Sequence, residues 1–173
     1  MTAAPQHRTD LPGTLGAGYA QAHDHRPLAG YAVLSGAFGA ALAGALLAAR
    51  ASGRPLPEGL SSRDVLLAGV ATHKVSRLIA KDKVTSFLRA PFTRYQESAG
   101  HGEIEEEPRG EGLRFATGEL LVCPYCLAQW VAAGFTVGYV HAPRLTRLLA
   151  GMWTAHALAD FVQLAYSSAE ERA

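Results

Sequence analysis

Long apolar stretches without charge alternate with polar stretches along the chain. The longest covers residues 28–49, 22 positions without Asp, Glu, Lys or Arg. A helix of that length rises about 33 Å, enough to cross a hydrocarbon core of about 30 Å. Gly36, Ala40 and Gly44 fall four apart and form a smooth face that favours close helix approach in lipid. The stretch therefore predicts a transmembrane helix; the alternative is a buried helix of a soluble protein.

Two further apolar stretches follow near the C-terminus. Residues 126–142 predict a second span, with Pro124 in its first turn and Pro143 at its end. Residues 148–166 predict a third, and the short link between the two predicts an antiparallel helical hairpin.

The stretch 64–80 is ambiguous. Its first half is apolar, whereas His73, Lys74, Arg77 and Lys81 gather on one sector at helical period. It is either a short fourth span whose basic end reaches the headgroups or a helix lying in the membrane interface.

These elements together predict an all-α fold, a small helical membrane protein with three to four transmembrane helices and a cytoplasmic polar loop. The helical membrane domain covers 28–166 and the polar loop 81–122. Residues 1–27 lack an apolar period and predict a disordered tail without a signal peptide, and 167–173 form a short C-terminal tail.

Charge refines the picture in two ways. The net charge of +1 over 173 residues gives no field that would attract nucleic acid. With four spans, nine of the sixteen Lys and Arg residues share the side of the polar loop and five lie opposite. A three-span arrangement gives the loop side a larger excess, so the positive-inside rule places the loop in the cytoplasm either way.

The polar loop itself has three interpretations. It is a solvated connector on the membrane surface, anchored by its Phe, Tyr and Arg residues, or a docking surface for a soluble partner. Its run of glutamates also suggests a divalent-cation site, although no recognisable ligand spacing supports one.

The tetrapeptide CPYC, residues 123–126, contains the only two cysteines. It matches a glutaredoxin active site, but the strand-helix alternation of that fold is absent. The alternatives are a membrane thiol oxidoreductase, half of a zinc site completed by His101, His73 or a second chain, and reduced cysteines packed at a helix start. A helix N-terminus favours thiolate, but a relay usually needs a second cysteine pair and the cytoplasm is reducing.

His156 and Asp160 lie four residues apart on one face of the last predicted span. Ionisable groups inside a membrane are costly unless they are paired or hydrated. The pair predicts either an interhelical clasp, with Arg77 or His73 as partner, or a proton or ion relay that would require oligomers.

Three blocks of sequence resemble a known family. Residues 71–95 (ATHKVSRLIAKDKVTSFLRAPFTRY), 105–131 (EEEPRGEGLRFATGELLVCPYCLAQWV) and 159–166 (ADFVQLAY) are similar to the bacterial membrane proteins grouped as DUF1360, domain of unknown function 1360. The resemblance extends over roughly residues 64–166. It implies a small integral protein of the bacterial envelope and no established activity, and the family pattern includes the paired Cys123 and Cys126.

The functional prediction is a non-enzymatic membrane scaffold that displays its cytoplasmic loop, with no catalytic residue and no cofactor. The alternatives are a thiol-disulfide oxidoreductase using Cys123 and Cys126 and a zinc-binding membrane protein. The predicted partners are the lipid bilayer and a cytoplasmic protein or a second copy of the chain.

Overall fold

The computed structural model describes Tyr19 and residues 26–172, so most of the predicted tail 1–27 lies outside the described residues. Within residues 26–172 the chain forms six helices and one two-stranded antiparallel sheet. In chain order the elements are α1 Leu28–Ala51, α2 Ser62–Lys81, α3 Ser86–Arg89, β1 Thr93–Gly100, β2 Glu103–Pro108, α4 Gly112–Val122, α5 Pro124–His141 and α6 Pro143–Glu170.

Helix α1 forms from the longest apolar stretch of the sequence and ends at a turn in which Gly53 has a φ of 70°. Its residues are apolar nearly all round, and only Gly30 and Ala49 are buried. Large side chains such as Val33 and Leu47 lie exposed on its surface. The helix therefore presents apolar surface outward rather than into a protein core.

Helix α2 begins with a cap and buries a face of small residues. Ser61 accepts a hydrogen bond from the backbone N–H of Asp64 at 3.1 Å, and the Asp64 carboxylate lies in the positive first turn. Thr72, Ser76 and Ala80, four residues apart, are buried on this helix. Small side chains allow α2 to pack closely between α5 and α6.

The two helices α2 and α6 run in the same direction. Arg147 contacts Asp64, the Thr154 hydroxyl donates to the Leu67 carbonyl at 3.1 Å, and Asp160 contacts Lys74, so contacts advance together along both helices. Helix α5 runs opposite, because its last turn brings the Tyr139 hydroxyl to the Asp64 carbonyl.

Helix α1 runs parallel to α5. Phe38 contacts Trp130 edge to face at 5.2 Å. Closer to the C-terminal ends of both helices, the His141 ring lies 3.1 Å from the Ala45 carbonyl. The four long helices thus form an up-and-down bundle. We call the end that carries residues 81–122 the hairpin end, and the end that carries residues 52–61 the loop end.

The polar segment 81–122 is not an irregular loop, and the all-α prediction is wrong at this point. Strands β1 and β2 pair through a two-residue turn, His101 and Gly102, both with positive φ as a type I′ turn requires. The hairpin sequence does not alternate apolar and polar residues, because only Ile104 and Thr93 are buried in it. Its stability depends on ion pairs with α2 and α3 rather than on alternating hydrophobic residues.

Fewer of the observed helices are long and apolar enough to cross a membrane than the sequence analysis predicts. Within residues 26–172, only α1 satisfies both criteria by itself. Helices α4 and α5 satisfy them together but are bent by 84° at Cys123. The mainly helical fold is therefore confirmed, whereas three to four spans are not.

Candidate functional site

The CPYC turn lies at the hairpin end, where α4 meets α5. Cys123 is the N-cap of α5, with extended backbone angles, and Pro124 takes the first helical position, where its missing N–H costs nothing. The backbone N–H of Cys126 donates to the Cys123 sulfur at 3.2 Å. The Cys123 sulfur thus caps the N-terminus of α5.

The two cysteines are joined as a disulfide in this structure, with Cα atoms 5.3 Å apart. Cys123 is half-buried, Cys126 is exposed, and the Tyr125 side chain between them is 89% exposed. The turn is therefore accessible from outside, as exchange with another thiol requires.

A cavity of about 550 Å³ lies beside the turn, between α1, α4 and α5. Cys126, Leu34, Phe38 and Trp130 line its mainly apolar wall. Its polar side contains the Tyr31 hydroxyl, which donates to the Glu119 carboxylate, together with Ser35 and Gln129. We call this the apolar cavity. The local sequence GELLVCPYC offers one indication of this cavity, because Glu119 is an isolated charge in an apolar run.

A smaller cavity of about 220 Å³ lies on the other side of the turn, between α2 and α5. Pro124 and Tyr125 contribute one wall, and His73 and Arg77 the other. Thr72 also lines it, with a buried hydroxyl that has no hydrogen-bond partner within the described residues. We call this the polar cavity; it brings His73 near the CPYC turn.

Three basic residues of α2 have carboxylate partners elsewhere in the chain. Arg77 donates to both oxygens of Glu103 at 2.7 Å, and Lys81 donates to Glu105 at 2.6 Å. The sequence predicts a basic face for lipid headgroups, whereas the structure uses these charges to attach β2 to α2. Glu103 and Glu105, two of the glutamates proposed for a divalent cation, are engaged in these pairs.

Lys74 forms the third such pair, with Asp160 of α6. Lys74 Nζ lies 2.5 Å from the Asp160 carboxylate, and His156 Nδ1 lies 4.0 Å from the same group. The contact ties α2 to α6 across the bundle. The His156 ring also packs edge to face against Trp153 at 6.0 Å. This is an interhelical clasp, with Lys74 rather than Arg77 or His73 as the partner.

An ion pair that sequence reasoning missed lies at the loop end, where Asp64 and Arg147 each directly precede the apolar residues of their helix. Arg147 donates two hydrogen bonds to the Asp64 carboxylate, at 2.9 and 3.0 Å. These bonds lower the pKa of Asp64 below its usual value, while burial opposes them. The pair involves residues 83 positions apart, so no local pattern indicates it.

His101, the proposed third ligand of a zinc site, lies in the hairpin turn with a φ of 49°. Among the described residues, no group of three or more His, Cys, Asp or Glu side chains is placed to hold a metal ion. The structure thus brings Cys123 and Cys126 together, and the part of the chain that it describes adds no third ligand beside them.

These features define a small, mainly helical protein with an apolar outer helix, a salt-bridged polar hairpin and an accessible cysteine pair. The chain belongs to the DUF1360 family of proteins of unknown function, whose model matches residues 67–166, more than half of its length. It is 30% identical over 79 residues to UPF0713 protein YngL of Bacillus subtilis (strain 168). That match covers 44% of this chain and 57% of the relative, and no solved structure matches.

Proposed function

We propose that the chain is an integral membrane protein whose four long helices cross the bilayer and hold the polar hairpin at the cytoplasmic face. The observation that carries the proposal is the exterior of α1, which buries only two of its 24 residues. Exposing that much contiguous apolar surface to water is unfavourable, and lipid is the solvent that removes the cost.

The bundle is consistent with four crossings. Its helices have 24, 20, 18 and 28 residues, so each is about 27 Å or more in length and close to the thickness of a hydrocarbon core. Helix α6 exposes Leu148, Met152 and Phe161 on its surface. The Lys74–Asp160 contact neutralises two charges that would otherwise be costly at that depth.

Fractionation tests the membrane location. The intact chain is expected in the membrane pellet after alkaline carbonate washing and in the supernatant only after detergent. Recovery in the high-speed supernatant without detergent would refute the proposal.

As its activity we propose partner binding through the hairpin. Three of the four glutamates of β2 are paired with basic residues of α2 or α3, but β1 is exposed from Arg94 to Gly100, with Tyr95 61% exposed. An exposed strand with aromatic and charged side chains fits a soluble protein partner. A photo-crosslinking residue at Tyr95 should give protein adducts in cells, whereas one at Leu148 on α6 should react with lipid. Lipid adducts alone at both positions would argue against a scaffold.

A second candidate function is thiol-disulfide exchange, favoured by the pairing of Cys123 with Cys126 beside two cavities. Alkylation in intact cells followed by mass spectrometry measures whether the pair cycles. Oxidant should convert the dithiol to the disulfide and reductant should reverse it. If both cysteines remain alkylatable under oxidant and serine replacements have no effect, this candidate is excluded.

A further inference from the structure

We propose that the apolar cavity binds a quinone and that the Cys123–Cys126 dithiol reduces it. The inference rests on the second candidate function, thiol-disulfide exchange. Cys126 lines the cavity, so the cysteine pair lies at its wall. The chain would then be a thiol-dependent quinone reductase of the membrane.

The cysteine content of the chain requires an external redox partner. Only two cysteines are present, so electrons that leave the pair cannot pass to a second cysteine pair within the chain. The acceptor must occupy the space that reaches the sulfur. That space is apolar and is walled by α1, which faces outward with apolar side chains, so a lipid-soluble acceptor fits it.

The depth of the cavity suits a quinone headgroup. Tyr31 and Phe38 lie about 4 and 15 Å along the helix axis from the start of α1. On the proposed topology, the cavity is therefore in the part of the bilayer nearest the cytoplasmic surface. A headgroup bound there leaves its isoprenoid tail free to extend into the hydrocarbon core.

The cavity also matches the chemistry of a quinone ring. Its volume of about 550 Å³ falls within the usual range for small-molecule sites. Phe38 and Trp130 offer aromatic surfaces for stacking. Quinone carbonyl oxygens only accept hydrogen bonds, and the Gln129 amide and Ser35 hydroxyl of the cavity wall are donors.

The reaction balances as a two-electron, two-proton transfer. Both S–H bonds break and one S–S bond forms, so the dithiol is oxidised. The two carbonyl oxygens of the quinone become hydroxyls, taking up two electrons and two protons. A soluble thiol then reduces the disulfide, and the exposed Tyr125 side of the turn, next to the polar cavity, is where it would attack.

The test uses the full chain in detergent with decylubiquinone, whose fully substituted ring cannot add a thiol. The reduced protein should reduce one equivalent of quinone, followed by ultraviolet absorbance, and Cys126→Ser should abolish the reaction. Leu34→Trp, which fills the cavity, should slow it at least tenfold. Leu47→Trp, at an exposed position of the same helix, should stay within twofold.

Binding is measured separately from turnover. In a Trp153→Phe background, Trp130 is the remaining tryptophan, and decylubiquinone should quench its fluorescence saturably. If the cysteines cycle in a glutathione redox buffer but quinone is neither bound nor reduced, the quinone inference fails and thiol exchange stands. If the cysteines do not cycle, both fail. Equal rates in the Leu34→Trp and Leu47→Trp variants would also overturn the inference, because reduction would then occur outside the cavity.

Discussion

At the scale of single residues, Arg89 explains how a strongly charged segment folds compactly. Its guanidinium is fully buried and donates to the Glu106 carboxylate, itself buried, and to the Ile79 and Asp82 carbonyls at 2.5 and 3.0 Å. The Thr85 hydroxyl accepts a further hydrogen bond at 2.9 Å. One side chain thus connects the end of α2, α3 and β2, and its positive charge is paired with the Glu106 carboxylate.

Replacing Arg89 should therefore be costly. Arg89→Met leaves the Glu106 carboxylate buried without its counterion, and we expect a loss of about 3–5 kcal/mol in unfolding free energy. Arg94→Met, at an exposed position of β1, is the matched control and should change the free energy by less than about 0.5 kcal/mol. Denaturant titration in mild detergent measures both. Equal effects of the two replacements would show that Arg89 does not organise the hairpin.

The Asp64–Arg147 pair should make stability depend on pH. Because the hydrogen bonds from Arg147 lower the pKa of Asp64 in the folded state, their contribution is complete above the unfolded pKa of about 3.8. It is lost as pH falls through the lower folded pKa. Asp64→Asn should melt below the wild type at pH 7, and the difference should shrink below pH 4. A difference that is constant from pH 7 to pH 3 would contradict this assignment.

At the scale of elements, the apolar period predicted the helices, but the hairpin needed information that lies far away in the chain. Residues 28–49 and 148–166 lie within observed helices, and 126–142 extends one residue past the end of α5. Strand β2, EIEEEP, contains a single apolar side chain besides proline, a pattern typical of a solvated loop. Its partners are basic residues 17 to 26 positions earlier, so only tertiary contacts make it a strand. The Gly-His-Gly turn was the available local signal.

Helix α4 depends on one glycine for its position. A Cβ at Gly118 would lie 2.6 Å from the Phe92 carbonyl oxygen and 3.0 Å from the Pro108 Cβ, both part of the hairpin segment. Gly118→Ala should therefore separate α4 from the hairpin and cost about 1–3 kcal/mol. Gly36→Ala is the matched control, because a Cβ there meets nothing within 4 Å.

The control should be neutral or stabilising by up to about 1 kcal/mol, since alanine favours a helix over glycine. The same detergent unfolding assay compares the two alanine variants. A Gly118→Ala protein as stable as Gly36→Ala would mean that α4 does not pack against the hairpin as described. Cys123 directly follows α4, so the destabilised variant should also expose the CPYC turn to faster alkylation.

At the scale of the whole molecule, the sequence predicted the candidate site only in part. Cys123 and Cys126 could be named because they share four consecutive residues. The walls around them come from α1, α2 and α4, so the participation of Phe38 or Thr72 follows only from the parallel packing of α1 on α5 and the antiparallel packing of α2 on α5. The local sequence thus indicates the cysteine pair, whereas the packing of the helices determines which residues line the cavities on either side of it.

The directions in which the four long helices run predict which segments lie on the same side of the membrane. Residues 52–61 lie at the loop end, whereas β1 and the end of α6 lie at the hairpin end. In a chain with Cys123→Ser and Cys126→Ser, Pro57→Cys should react with an impermeant maleimide in intact bacterial cells. Ser98→Cys and Ser168→Cys, also exposed, should react only after permeabilisation, because nine of the basic residues lie on their side and five opposite. If α1 alone crosses the bilayer, all three positions lie on one side and label together, which would refute the four-helix topology.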